Sequence, residues 1–260
     1  MVMDKLLFKS KVEEGNIHFE RKSHLTTRTL NYWKELCSGC GMCAEVCPQE
    51  CIQLNPPSSK DKNPLIVINL DECLLCGVCS EVCLFNAIEV SENGEPIKNF
   101  EGNPRYSLIY EVDTNKCPPD CNECEKACPR GAINCQNGFK RDSRRCVYCT
   151  SCAISCPEDA IIVEKVFSGE IDINSDECQA CGVCVEICPT GAIYFPKLEL
   201  GQDVERIKVD EKMCIYCGAC EQACPVDVIT VSRRNASYSV KGKNPWTKTH
   251  EEAFKKLIKR

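Results

Sequence analysis

The sequence predicts an α+β chain with little regular secondary structure, assembled from six copies of one small unit. Two observations carry this. Cysteine supplies 26 of the 260 residues and recurs in blocks of four at near-constant spacing, the mark of an internal repeat. Short extended segments with apolar residues frame each block at regular intervals.

Composition narrows the class. One residue in ten being Cys leaves a disulfide scaffold or a metal protein. Disulfide scaffolds are usually short and secreted, whereas this chain is long and opens MVMDKLLFKS, without the apolar stretch of a signal peptide. No run of about 18 apolar residues occurs, so no membrane span is expected. The expected compartment is a reducing cytoplasm, where thiols persist and hold metal. Aromatic residues make up 7% and mean hydropathy is −0.27, thin material for a core of this size. Bound clusters would fill the interior, and folding would then depend on them. The formal charge of −6 argues against a nucleic-acid partner.

The repeat is explicit in the cysteines. Motif one is Cys37, Cys40, Cys43 and Cys47; motif two is Cys73, Cys76, Cys79 and Cys83; motif three is Cys117, Cys121, Cys124 and Cys128. Motif four is Cys146, Cys149, Cys152 and Cys156; motif five is Cys178, Cys181, Cys184 and Cys188; motif six is Cys214, Cys217, Cys220 and Cys224. Five of the six follow C-x2-C-x2-C-x3-C, and five have Pro directly after the last Cys (Pro48, Pro129, Pro157, Pro189, Pro225). Three cysteines at i, i+3 and i+6 on a tight loop reach three irons of one cubane, while the fourth points away to ligate the other cluster of a pair. Pro stops the helical turn that carries the fourth Cys. The 24 motif cysteines therefore predict six [4Fe–4S] clusters. Zinc is the competing metal, but its sites use two separated C-x2–4-C pairs, whereas here three cysteines crowd seven positions.

Strands are expected at CIQL, AIEV, AINC, AIIVEK, AIYF and VITV after the motifs, and at IVINLDE, YEVDTNK, EIDINSDE and RIKVDEK before them. The expected domains are an N-terminal arm (1–36), three two-motif domains (37–100, 101–170, 171–232) and a basic C-terminal docking helix (233–260). Residues 233–260 hold nine Lys or Arg against two Glu. In the helix that Pro245 starts, Trp246, His250, Ala253 and Leu257 fall at helical spacing, with Phe254 and Ile258 beside them. This face either packs on the chain's own core or docks a partner subunit.

Two pairings of motifs are open. Sequential pairing joins Cys37, Cys40, Cys43 with Cys83 and Cys73, Cys76, Cys79 with Cys47; it repeats the exchange in motifs three and four and in five and six. Nested pairing joins motif four with five and three with six. Leu84 replaces the Pro of motif two, so a slightly different turn is expected there. Motif three reads CPPDCNEC, one residue longer. That spacing is also the radical S-adenosylmethionine signature, yet Cys128-Pro129 follows at the normal position, and no barrel-forming segment is available. Cys51 and Cys135 fall outside the motifs and are expected as small buried apolar residues. His18, His24 and His250 are not expected as ligands. With no phosphate-binding Gly loop or nucleophile motif, no catalytic residue is assigned.

Two units of this kind resemble the bacterial-type two-cluster ferredoxin fold. Beyond that, TRTLNY near the start, EKVFSGEI and YFPK between the motifs, and PWTKTHEEAFKKL at the end make the chain similar to the polyferredoxin component of formylmethanofuran dehydrogenase, from about Thr27 onward. That resemblance implies a non-catalytic electron wire in an archaeal methanogenesis complex that reduces CO2 onto methanofuran. The implied partners are a tungsten- or molybdenum-pterin catalytic subunit, a small ferredoxin subunit and an external ferredoxin or other electron-donating complex. Members of that family carry eight motifs rather than six and are longer. A polyferredoxin of a hydrogenase or heterodisulfide reductase, or a free soluble carrier, are the alternatives.

Overall fold

The computed structural model describes residues 7–55, 65–196 and 206–258. The first six residues of the expected arm, the last two of the C-terminal segment and Lys197 of YFPK lie outside these residues. Each motif supplies one short helix carrying its third cysteine: α1 (Met42–Val46), α2 (Val78–Val82), α3 (Glu123–Lys126), α4 (Ser151–Ile154), α5 (Val183–Ile187) and α6 (Ala219–Ala223). One turn of helix is marginal by itself, so these helices persist through what they pack against. Among the described residues no helix is long and apolar enough to cross a membrane.

The chain forms two compact units, Met1–Arg105 with Tyr238–Lys259, and Tyr106–Ser237. In the first, β1 (Leu7–Glu13), β2 (Asn16–Lys22) and β3 (Thr27–Tyr32) form a meander, so this part of the expected arm is sheet. Alternation explains why: Ile17, Phe19, Leu30 and Tyr32 point inward and are buried. Motif one follows, then β4 (Ile52–Leu54) paired antiparallel with β5 (Ile66–Ile68), then motif two. The strand β6 (Ile88–Glu92) returns to pair with β3, Leu30 opposite Val90. It turns into β7 (Glu95–Pro96), completing a five-stranded sheet. The strand β8 (Pro104–Tyr106) follows.

The second unit uses the same plan twice. Motifs three and four lie between β9 (Tyr110–Val112) and β12 (Ile161–Val163), which pair with each other. Between the two motifs, β10 (Ile133–Asn134) pairs with β11 (Lys140–Arg141). Motifs five and six lie between β13 (Phe167–Ile173) and β16 (Ile229–Ala236), again a pair, with β14 (Ile193–Tyr194) on β15 (Lys208–Val209) between them. In all three cases the strand before one motif pairs with the strand after the next. This topology, with α1 on α2, α3 on α4 and α5 on α6, brings the motifs together in sequential pairs.

The chain then returns to the first unit through β17 (Tyr238–Val240), which pairs with β8, and ends in α7 (Thr247–Ile258). The helix packs on α1 and α2. His250, Ala253, Phe254 and Leu257 are buried there, while Trp246 is 60% exposed. Of the two uses of this face, packing on the chain's own core is the one the structure has.

Candidate metal centres

The backbone of each motif repeats one conformation. The residue before the second cysteine has positive φ in all six: Gly39, Leu75, Asp120, Tyr148, Ala180 and Tyr216. The residue after it does so in five (Gly41, Gly77, Thr150, Gly182 and Gly218), and so does the third residue after the last cysteine in all six (Glu50, Asn86, Gly131, Asp159, Gly191 and Asp227). For a non-glycine residue this region costs roughly 1–2 kcal/mol, so strain in every motif points to a functional constraint. What it achieves is visible in the hydrogen bonds. Backbone N–H groups turn onto cysteine sulfurs: Gly39 on Cys37 at 3.4 Å, Tyr216 on Cys214 at 3.4 Å, and Ala87, Ala132 and Ala160 on Cys83, Cys128 and Cys156 at 3.2–3.3 Å.

The cysteines line hollows in sets of four. Cys37, Cys40, Cys43 and Cys83 line one; Cys47, Cys73, Cys76 and Cys79 line the next, together with Cys51. Cys128, Cys146, Cys149 and Cys152 line a third. Cys117, Cys121, Cys124 and Cys156 line a fourth and far wider one, together with Cys135. Electrostatics also bring thiols of paired motifs together. Burial pushes the Cys43 thiol well above its ordinary range, followed by the charges of Cys40, Cys83 and Cys37. Burial lifts Cys220 to about 12, with Cys214 and Cys188 adding, and lifts Cys184 to about 11, with Cys181 and Cys178 adding. Thiols crowded in this way are unfavourable as free thiolates; a soft cationic group among them removes the repulsion. Among the described residues no three His, Cys, Asp or Glu side chains converge as one metal ion requires. An all-thiol lining around a space wider than one ion fits an iron–sulfur cluster better than zinc.

Two departures behave differently from expectation. Leu84 leaves the turn of motif two unchanged: Asn86 N–H reaches Cys83 O at 3.2 Å, as Glu50 N–H reaches Cys47 O at 3.2 Å in motif one. The extra residue of motif three is absorbed ahead of Asp120, and Asn122, at the start of α3, has ordinary negative φ. Cys51 is buried as expected, but its sulfur lies 3.4 Å from that of Cys47. Cys135 is only partly buried and lies 3.6 Å from the Cys124 sulfur, so it is a site-lining thiol and not a core residue.

Several residues around the sites were not legible in the motifs. The Tyr110 hydroxyl lies 3.2 Å from the Cys152 sulfur. Arginines grip the carbonyls of the cysteine loops: Arg21 donates to Leu74 O at 2.6 Å, Arg28 to Leu75 O at 3.0 Å, and Arg233 to Tyr216 O and Cys217 O at 2.9 and 2.7 Å. With loop N–H groups aimed at sulfur, the carbonyls face outward and need donors. Arg21 and Arg28 stand about 50 residues from their loop, and only the sheet brings them together.

Comparison with known proteins agrees with this geometry. Models described as 4Fe-4S dicluster domains match residues 36–87, 72–133, 138–189 and 177–228. Two of these spans join motif two to three and four to five. A repeat of equal units matches a two-motif model in any register, so the strand pairing decides which motifs share a domain. The chain is 30% identical to an uncharacterized ferredoxin of Methanocaldococcus jannaschii over 40% of its length and 73% of that protein. It is 30% identical to the polyferredoxin protein MvhB of Methanothermus fervidus over 28% of its length and 19% of that protein. The chain spans between 19% and 73% of the curated relatives it matches. A chain of the solved formate dehydrogenase–heterodisulfide reductase–formylmethanofuran dehydrogenase complex from Methanospirillum hungatei is similar to this one. The TM-score is 0.81 at 29% identity, over 96% of this chain and 91% of that one.

Proposed function

The chain belongs to the ferredoxins built from tandem 4Fe-4S dicluster domains, and from that premise we propose that its 24 motif cysteines hold six [4Fe–4S] clusters through which it conducts electrons for a multi-subunit oxidoreductase. In this reading Cys37, Cys40, Cys43 and Cys83 hold one cluster and Cys73, Cys76, Cys79 and Cys47 its neighbour. Motifs three and four, and five and six, exchange their fourth cysteines likewise, which assigns Cys224 to the motif-five cluster and Cys188 to the motif-six cluster. The observation that carries the reading is the lining of four hollows in motifs one to four, each by three cysteines of one motif and the last cysteine of the next or preceding one.

A bound cluster supplies reversible one-electron chemistry. The chain's residues set how easily that electron is held. N–H and phenol O–H donors aimed at sulfur stabilise the more negative reduced state, and burial opposes it. Short domains keep paired sites close, as electron tunnelling requires, since its rate decays exponentially with distance. No residue here is assigned to bind or turn over a substrate, and the peptide's part is to hold, insulate and tune.

The complex we propose is the formylmethanofuran dehydrogenase one, with this chain carrying electrons to or from the catalytic subunits. Support comes from the near-full-length likeness to a chain of a complex containing that enzyme. The presence of heterodisulfide reductase in the same solved complex supports service to that second enzyme as the other reading. Anaerobic native purification with this chain as bait, followed by identification of partners and metal analysis, separates them. Pterin-enzyme subunits with tungsten or molybdenum are expected. Heterodisulfide reductase or hydrogenase subunits without them favour the second reading, and a lone iron-loaded chain favours a free carrier.

A further inference from the structure

The two cluster pairs of the second unit meet at one place. The Thr150 hydroxyl, beside Cys149 in motif four, shares its proton between Cys149 O at 2.6 Å and Lys212 O at 2.8 Å, the latter two residues before Cys214 of motif six. Lys165, nine residues past the end of motif four, donates its ammonium to the neighbouring carbonyl, Glu211 O. Two side chains from the motif-four half therefore hold consecutive carbonyls of the turn that opens motif six. The Lys165 ammonium also sits 5.6 Å from the centre of the Tyr216 ring, in the loop between Cys214 and Cys217. Burial lowers the Lys165 ammonium from its ordinary range, against the pull of Cys214, Asp210, Glu211 and Cys149. The nearest acids thus come from the motif-six side, and one thiol from each motif acts on it. At the opposite extreme, Cys117 of motif three and Cys181 of motif five are the two exposed cysteines of the chain.

We propose that electrons cross between the cluster pairs of this unit at the motif-four and motif-six sites, with the Lys165 ammonium lodged between them, and that the motif-three and motif-five sites are its outer ends. The order along the unit is then motif three, four, six, five, which differs from the order in sequence. This rests on the cluster assignment above. In the crossing step one site is oxidised as the other is reduced; no bond forms, and the step transfers one electron and no proton. A fixed cation favours the reduced state of both neighbours. It stabilises the added electron on either of the two sites, and it offsets the repulsion between two anionic groups brought close together. The exposed Cys117 and Cys181 fit the outer sites, because a partner's redox centre must approach an end.

The test is an anaerobic redox titration of the holoprotein, following the reduced-cluster signals, for wild type, Lys165→Met and Lys165→Arg. Iron is counted first. Removal of the charge is expected to lower the reduction constant of two of the six clusters by on the order of tenfold each, a shift of about 59 mV for a one-electron couple. The other four stay unmoved, and Lys165→Arg restores the wild-type pattern. In a Cys149→Ala/Cys152→Ala background, which removes the motif-four cluster, Lys165→Met is expected to move only one. If full iron is present and no cluster moves, or only one moves in the intact chain, the junction is overturned while the cluster assignment stands. If the holoprotein lacks iron and sulfide, the cluster assignment itself falls, and the junction with it. The first comparison needs no cysteine substitution, so failure of the background variant to fold leaves the proposal testable.

Discussion

His250 Nδ1 lies 2.7 and 2.8 Å from the two carboxylate oxygens of Glu81, with both side chains shielded from solvent. Glu81 belongs to α2, between Cys79 and Cys83, and His250 to α7, the last helix. The pair ties the C-terminal helix to the helix of a cluster motif. Burial raises the Glu81 carboxyl above its usual range, and His250 pulls it down. His250→Ala removes that pull and leaves a buried carboxylate without its partner, a loss of about 3–5 kcal/mol. The expected outcome is a loosened α7, seen as faster hydrogen exchange over Thr247–Ile258. The sign with pH follows. A carboxyl whose folded value is raised adds stability below its unfolded value, and loses it as pH rises through the folded one. The variant's exchange should therefore quicken as pH rises above the ordinary carboxyl range by more than the intrinsic chemical factor.

Tyr110 tunes the motif-four site. Its phenol is held neutral by burial and by the neighbouring Cys152, so it donates to that sulfur. Tyr110→Phe removes a hydrogen bond worth about 1 kcal/mol. The motif-four cluster should become harder to reduce by roughly 40 mV, on the scale where a tenfold change in a one-electron couple is about 59 mV. Redox titration of the variant, with iron content unchanged, checks this; a potential that stays put or rises contradicts it.

Gly77 is irreplaceable for two reasons at once. Its φ is +90°, and a Cβ there would lie 2.8 Å from Ile97 Cγ2. Gly77→Ala should combine roughly 1–2 kcal/mol of backbone strain with an overpacking cost of similar size. Gly138 has φ of +82° but open space around it, so Gly138→Ala should incur the strain alone. Thermal loss of cluster absorbance should come at clearly lower temperature for Gly77→Ala than for Gly138→Ala.

Cys51 and Cys135 touch ligand sulfurs without belonging to a motif. Burial pushes the Cys51 thiol up, with Cys47 adding to it, so it is a poor thiolate ligand. Replacing both by Ala should leave the iron content at that of wild type, whereas Cys43→Ala should lower it. A loss of iron in the Cys51→Ala/Cys135→Ala protein would mean that the ligand set is drawn wrongly.

The sequence carried the repeat, and with it the 24 thiols, because a cluster-binding loop is local: three of its four ligands lie within eight residues. The strands after each motif, such as Ile88–Glu92 and Ile161–Val163, were legible from their apolar pairs. Motif pairing was not, since equal units satisfy either scheme until β9 is seen on β12 and β13 on β16. The N-terminal meander was missed because Lys, Arg and Glu on its outer face hide the alternation of Ile17, Phe19, Leu30 and Tyr32. Arg21, Arg28 and Tyr110 have no motif to reveal them, because they act across strand pairings. The left-handed backbone at Leu75, Tyr148 and Tyr216 runs against those residues' own preference, and only the site explains it.

Whether this chain holds six four-iron clusters, each storing one electron, is tested most directly by anaerobic coulometric reduction of the purified chain, with iron and sulfide measured on the same sample. The expected result is about 24 irons and about 24 sulfides per chain, and uptake of about six electrons at low potential. A chain carrying zinc, or one that takes up no electrons, would contradict it.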